Sequence, residues 1–336
     1  MATVSEAVRA AARQFSDAGL ASPLNDARWL MAYALAGQGN ADSPRTPAGL
    51  TEVFAAGGAP EPVIFAEWVA RRVRREPLQH IVGAAPFFGY DLYSDSRGFI
   101  PRPETELLTE YALGKIRGWL ERAAAEPKLR PADGVVRVVD LCAGPGTIGL
   151  ALAAQLAEFL REQAPAGSGD YRWLRRIEVT GIELDPAAVE LGQENLTYFR
   201  RAGLLGEQLD VRLVEGDVRD LGLLDTLGLS GRAQLLVANP PYVPSGSRTD
   251  VETGADPAIA VFSGDDGLEL MPHVATAIMR AAAPGAPVAV EHDDATGDQT
   301  REILIAAGLS DVEKKQDFAG RDRFVVGRAT SPQASQ

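Results

Sequence analysis

The stretch Asn239-Pro240-Pro241-Tyr242 combines residue types that could do chemistry. It directly follows Leu235-Leu236-Val237-Ala238, an apolar run that reads as a short buried strand. Proline fixes φ, lacks an N–H and pushes the residue before it toward extended geometry. Asn239 and Pro240 are therefore expected to be extended, with carbonyls that the loop cannot fold back to satisfy. A side-chain amide, outward carbonyls and a ring form a pocket suited to a planar group bearing an NH2. An Asn-Pro pair alone would read as a capped strand exit. The four residues together, after a buried strand, point to a binding pocket.

Three further features fall at strand ends, where ligands bind in open parallel sheets. The first is the turn Asp140-Leu141-Cys142-Ala143-Gly144-Pro145-Gly146-Thr147. Its glycines let the backbone approach a ligand, and the helix that follows attracts negative charge at its N-terminus. The turn lacks the second half of a G-x-G-x-x-G fingerprint. Cys142 reads as a small filler, not a nucleophile, because no His is positioned to activate it. The second feature is Glu183, which can accept hydrogen bonds from both hydroxyls of a ribose. Asp185, before Pro186, reads instead as a helix N-cap. The third is Gly216-Asp217-Val218, where the carboxylate either accepts from an adenine amino group or closes a turn. Together the four features describe a pocket for an adenosine-bearing ligand.

The elements that must position these residues alternate from residue 135 onward. Strands are expected at 135–140, 177–182, 211–214, 235–238 and 288–291. Helices are expected at 148–160, 187–200, 267–283 and 300–307. Two final strands, 312–315 and 323–326, are joined through Gly320 and expected to be antiparallel. Such alternation implies an α/β fold with a mostly parallel sheet and helices on both faces. Residues 164–170 read as a flexible insertion and 330–336 as a disordered tail.

Residues 1–76 read as a separate helical domain. Val4, Val8, Ala11, Ala12 and Phe15 share a helix face that stops at Gly19. Asn25 or Asp26 is expected to cap a second helix ending at Gly37, and residues 37–49 form a loop. Ile64, Phe65, Trp68, Val69 and Val73 mark a third helix. Arg71, Arg72, Arg74 and Arg75 follow the helix dipole at its solvated end. The runs 77–83 and 86–93, separated by turn residues, suggest a hairpin within a linker at 77–100.

Composition narrows the function. The chain has 336 residues, 46% hydrophobic, with a formal net charge of −13. That charge argues against binding naked nucleic acid, where phosphate contacts dominate. No run approaches the roughly 18 apolar residues of a membrane span, and no signal peptide is apparent. Cys142 is the only cysteine, so no internal disulfide is possible and a cytoplasmic location is expected. His80, His273 and His292 show no metal-ligand spacing, and no metal is expected.

The sequence resembles the class I S-adenosylmethionine-dependent methyltransferases, and within them the glutamine methyltransferases that modify peptide chain release factors. The resemblance rests on Asn239-Pro-Pro-Tyr242, the glycine turn, Pro77-Leu-Gln-His-Ile-Val-Gly83 and Ile100-Pro-Arg-Pro-Glu-Thr-Glu106. Asp256-Pro257 through Asp266-Gly267-Leu268, Val290-Glu291-His292 and the run 317–324 also match. It implies a Rossmann-like, mostly parallel seven-stranded sheet whose last strand is antiparallel, at 101–329, behind a helical substrate-recognition domain. It also implies that Cys142, Ala143, Gly144, Pro145 and Gly146 wrap the methionine portion of S-adenosylmethionine. Glu183 would hold the ribose and Asp217 with Val218 would border the adenine. Phe99 would wall the sulfonium end, and Asn239 would lie beside the cofactor. As the catalytic residues, Asn239 and the Pro240 carbonyl would accept the two protons of a glutamine amide, with Pro241 and Tyr242 completing the substrate pocket. The expected substrate is the glutamine of a Gly-Gly-Gln loop in a release factor, met by a monomeric enzyme. A ribosomal protein glutamine and a DNA adenine are the alternatives. The chain departs from the family at Cys142-Ala143, where Gly-Thr is usual, at Glu183, where Asp is usual, and at Val218, where an aromatic is frequent.

Overall fold

The computed structural model describes residues 2–37, 42–166, 170–247 and 251–330, without the side chains of 164–166. The polypeptide forms two compact units. The first comprises residues up to Ile100 together with 251–257, and the second runs from Pro101 to Ser247 and resumes at Ala258.

In the first unit, helices α1 (Val4–Asp17), α2 (Pro23–Ala36), α3 (Leu50–Ala55), α4 (Val63–Val73) and α5 (Leu78–Val82) precede a hairpin. Thr3 caps α1, with Glu6 bonding back to the Thr3 N–H in a capping box. Helix α2 begins earlier than expected, with Ser22 at its N-cap and Pro23 in its first turn. Phe15, Leu30, Met31, Phe65 and Trp68 fill one core. Each such burial contributes roughly 1.5–3 kcal/mol.

Arg72 is not at a solvated helix end. It is 4% exposed and donates to Asp26 at 2.7 Å and to Glu252 at 2.8 Å. Phe65, Trp68, Val69 and Arg72 follow i, i+3, i+4, i+7 spacing, so the arginine continues the buried stripe of α4. The hairpin consists of β1 (Ala84–Phe87) and β2 (Tyr90–Tyr93), paired antiparallel. The run 77–83 is therefore not one of its strands. It forms α5, which ends at Gly83 with φ +73°.

The second unit opens with α6 (Pro103–Ala125) and continues through β3 (Val135–Leu141), α7 (Thr147–Ala166), β4 (Arg176–Glu183), α8 (Pro186–Arg201) and β5 (Leu209–Glu215). It continues with α9 (Leu221–Thr226), β6 (Leu235–Ala238), α10 (Ala258–Val261) and α11 (Met271–Ala281). The last elements are β7 (Pro287–Glu291), α12 (Gly297–Ala307), β8 (Leu309–Gln316) and β9 (Asp322–Ala329). The sheet order is β5-β4-β3-β6-β7-β9-β8. Strand β9 pairs antiparallel with both β7 and β8, and β3 to β7 pair parallel, so β9 alone runs against the rest.

This is the expected Rossmann-like α/β architecture, with its last strand reversed. Strands β3, β6 and β7 are buried along their whole length, which explains their mostly apolar sequences. The helix expected at 267–283 is shorter, and the helix expected to stop at 160 continues. Residues 164–166, read as part of an insertion, belong to α7. Residues 167–169 of that insertion, 38–41 of the first loop and 331–336 of the tail lie outside the described residues. Among the described residues no helix is long and apolar enough to cross a membrane.

Candidate functional site

Strand register brings the expected site residues out along one edge. Leu141 pairs with both Ile182 and Ala238, Glu183 pairs with Glu215, and Ala238 pairs with Val290. The segments that follow β3, β4, β5, β6 and β7 thus leave the sheet at one level, at its carboxyl ends. The chain order reverses between β3 and β6, which makes this the switch point where open α/β sheets hold ligands.

The glycine turn after β3 is held from beneath. Ala143 N–H donates to the Ile182 carbonyl at 3.0 Å, and Asn195 Nδ2 donates to the Pro145 carbonyl at 3.3 Å. Gly144 and Gly146 have φ of +53° and +79°, and Cys142 has φ of +58°. A Cβ on Gly146 would crowd Leu213 at 3.0 Å, whereas one on Gly144 would meet no atom within 4 Å. The turn therefore presents bare backbone to open space at Gly144.

Glu183 ties this turn to β4. Its Oε2 accepts from Gly144 N–H and its Oε1 from Asp185 N–H, each at 2.8 Å. Each oxygen keeps a further lone pair for a hydroxyl donor. Burial raises the Glu183 pKa, against the pull of those backbone bonds. Asp140, at the end of β3, accepts from Gly149 N–H at 2.9 Å through Oδ2, while its Oδ1 is buried without a partner. Burial, with the Glu183 charge adding to it, pushes Asp140 up to about 7. Burial also pushes the Cys142 thiol well above its ordinary value, away from the nucleophilic thiolate.

Beyond β5, the Asp217 carboxylate accepts from the Arg219 N–H at 2.9 Å and from its guanidinium at 2.7 Å. The arginine holds the acid below its ordinary value. Val218 is 8% exposed and belongs to the core cluster that includes Ile182 and Leu224. Phe99 lies in the first unit, half-buried, so the site described here is built from the second unit alone.

At the end of β6, Asn239 is half-buried and Pro240 buried. Asn239 Nδ2 lies 3.4 Å from the Thr105 hydroxyl, in the first turn of α6. Tyr242 donates its phenol to Glu291 Oε1 at 3.2 Å, and burial with that acid beside it pushes the phenol well up. The loop behind Tyr242 is braced. Val243 N–H donates to the Val261 carbonyl and Ser263 N–H to the Val243 carbonyl, each at 2.9 Å. Gly267 has φ +78°, and a Cβ there would sit 2.2 Å from the Tyr242 carbonyl oxygen.

Neither Thr105 nor Glu291 stands out as a site residue by spacing. Thr105 lies inside Pro101-Arg102-Pro103-Glu104-Thr105-Glu106, and Glu291 closes a largely buried strand as Glu183 does. An acid ending a buried strand is the signal that could have found it. The same corner is fastened by ion pairs. Arg323 and Arg321 both bond to Asp317, at 3.1 and 2.9 Å, and both reach Glu104, next to Thr105.

No protein-family model matches the chain. Curated relatives match along almost its whole length. The release factor glutamine methyltransferase of Corynebacterium glutamicum is 36% identical over 334 residues, covering 98% of this chain and 99% of that protein. That of Mycolicibacterium smegmatis is 34% identical, covering 97% and 98%. The 4-amino-L-phenylalanine/4-methylamino-L-phenylalanine methyltransferase of Streptomyces pristinaespiralis is 34% identical but covers 69% of this chain and 66% of that protein. Full-length agreement at this identity places the chain in the release factor glutamine methyltransferase family.

Proposed function

We propose that this chain transfers a methyl group from S-adenosylmethionine to the side-chain amide nitrogen of a glutamine, in the Gly-Gly-Gln loop of a peptide chain release factor. The observation that carries this reading is the pairing of Leu141 with Ala238. It sets the glycine turn and Asn239 side by side, so a methyl donor on one strand end meets an amide held on the next. Relatives of the same length as this chain carry that activity in their names, whereas the aromatic amino acid enzyme matches only part of it. The reading implies a monomeric enzyme acting in the cytoplasm. The helical first unit is the reader of the protein partner, and direct contact with nucleic acid or membrane has no part in it.

The residues present fit the donor. Gly144 offers a cradle that a Cβ would fill, Glu183 has lone pairs left for ribose hydroxyls, and Asp140 Oδ1 has no donor. Cys142 to Gly146 would wrap the methionine portion. Arg219 already engages the Asp217 carboxylate, so Asp217 has only its remaining lone pairs for an adenine amino group. Val218 would supply an apolar edge rather than a stacking face. When bound, S-adenosylmethionine supplies an electrophilic methyl on a cationic sulfur.

An amide nitrogen is a poor nucleophile because its lone pair is conjugated with the carbonyl. Asn239 Oδ1 and the Pro240 carbonyl would each accept a hydrogen bond from its NH2 and turn the lone pair toward the methyl; as the new C–N bond replaces the S–C bond, one N–H proton would leave to water. Tyr242 packs beside the group, and Pro241 stiffens the loop. Such orientation is worth roughly 7–11 kcal/mol in well-positioned reactions.

The test is transfer of label from S-adenosylmethionine to a purified release factor, a ribosomal protein fraction and duplex DNA. Label in the release factor alone is expected. Label in ribosomal protein or DNA alone would overturn the choice of substrate, and label in none would overturn the activity.

A further inference from the structure

Thr105 and Glu291 take no part in the roles above, yet they join the two side chains that matter most. Thr105 is 3% exposed and Glu291 is 2% exposed. Glu291 Oε1 accepts from Tyr242 at 3.2 Å, its Oε2 is buried without a partner, and the Thr105 hydroxyl is close enough to draw the same carboxyl group down. Thr105 also faces Asn239 Nδ2 at 3.4 Å. The four side chains form one line, from Asn239 through Thr105 and Glu291 to Tyr242. It joins α6, the exit of β6 and the end of β7.

Proton counting gives the line a direction. An ionised carboxylate only accepts, and a hydroxyl has a single proton. Tyr242 directs its proton at Glu291 Oε1, and the nearby carboxyl group draws the Thr105 proton the same way. Thr105 is then left with lone pairs, which only the NH2 end of the Asn239 amide can satisfy. That turns Nδ2 toward Thr105 and Oδ1 away from it, as an acceptor.

We propose that Glu291 is a positioning residue which, through Thr105, fixes the Asn239 amide so that the pocket accepts an NH2 and rejects an oxygen. Glutamine is thereby told from glutamate. This rests on the function proposed above and adds the device that sets its selectivity. With the line reversed, the NH2 end of Asn239 would face the substrate nitrogen and repel it.

The line should also respond to pH. Burial is the largest influence on Glu291, Glu104 adds to it, Thr105, Tyr242 and Arg323 draw it down, and together they leave it at about 7. Asp293 acts on Tyr242 from the chain just beyond β7. Protonated Glu291 can donate to Thr105, which frees the Thr105 proton and releases the amide.

The experiment uses the full chain, S-adenosylhomocysteine affinity as the check of folding, and methylation of a release factor as the readout. Glu291→Gln and Thr105→Val should each bind S-adenosylhomocysteine as the wild type does and lower kcat by about tenfold or more, the weight of one hydrogen bond. Wild-type activity should fall below about pH 7, and Glu291→Gln should lose that limb. A release factor with Glu in place of the target Gln should compete poorly with the wild type and better with Thr105→Val. The double variant should be no worse than the poorer single one. Wild-type rates in both single variants, or losses that multiply in the double variant, would overturn the proposal. If Glu291→Gln fails to bind S-adenosylhomocysteine, Thr105→Val and its competition ratio decide the matter alone. A wild type that leaves the release factor unmodified would instead overturn the function on which the proposal rests.

Discussion

The Asn239 amide nitrogen lies 3.4 Å from the Thr105 hydroxyl, 134 residues earlier in the chain. On the function proposed above, the pocket for a planar NH2 is thus not a property of the Asn-Pro-Pro-Tyr loop alone. Its amide touches a helix that precedes the first strand of the sheet, and Tyr242 in the same loop bonds the acid that ends β7.

Gly267 should tolerate no side chain. Its left-handed backbone costs an L-residue about 1–2 kcal/mol, and a Cβ would strike the Tyr242 carbonyl at 2.2 Å. Gly267→Ala should lower the unfolding midpoint in denaturant and, on the function proposed above, cut methylation more than cofactor affinity, because the displaced backbone belongs to the Asn239–Tyr242 loop. An unchanged midpoint and rate would contradict the close approach.

Gly144 separates cofactor binding from folding. With open space around its missing Cβ, Gly144→Ala should cost only the backbone term of about 1–2 kcal/mol. Its methyl would occupy the cradle, so S-adenosylhomocysteine affinity should fall by about tenfold or more, measured by calorimetry. Cys142, at φ +58°, should accept glycine with little change in stability but reject valine, whose β-branch makes that geometry an outlier. If Cys142→Val were as stable as Cys142→Gly, the left-handed turn would be wrong.

How much of this was legible depends on what each residue was read against. Glu183 and Asn239 stood out because each ends a run that reads as a strand of the sheet, so their place at the carboxyl edge followed. Arg72 was misread because charge was weighed above spacing, although it falls one turn beyond Trp68 and Val69 on the same face. The run 78–82 was ambiguous because five apolar and polar residues before a glycine suit a strand or a helical turn equally. Thr105 and Glu291 were hidden for a different reason. Only the sheet order, with β7 beside β6, together with the packing of α6 on both strands, brings them to the same corner.

Arg72 is a buried charge of the first unit. Removing it leaves Asp26, itself pushed up by burial, without its cation. Arg72→Ala should destabilise the chain by about 3–5 kcal/mol, measured by chemical denaturation. A loss under about 1 kcal/mol, the range of an exposed pair, would contradict the buried placement.

Asp140 should make the ligand-free protein less stable as pH rises. Its pKa stands at 3.8 ordinarily and at about 7 in the folded protein. Between those values the folded form binds more protons than the unfolded form. The stabilisation is therefore complete below 3.8 and is lost as pH rises through about 7. Asp140→Asn removes that slope and can still accept from Gly149. The unfolding temperature of the variant should gain on wild type between about pH 5 and pH 8. A constant difference across that range would contradict the buried, unpartnered Oδ1.

The most direct measurement is peptide mapping by mass spectrometry of a release factor incubated with S-adenosylmethionine and either the wild-type chain or Asn239→Ala. The expected result is one methyl on the glutamine of the Gly-Gly-Gln loop with wild type. With Asn239→Ala it should be nearly absent, while cofactor affinity is kept. A methyl on any other residue, or full methylation by Asn239→Ala, would contradict the role of this chain as an amide methyltransferase that works through Asn239.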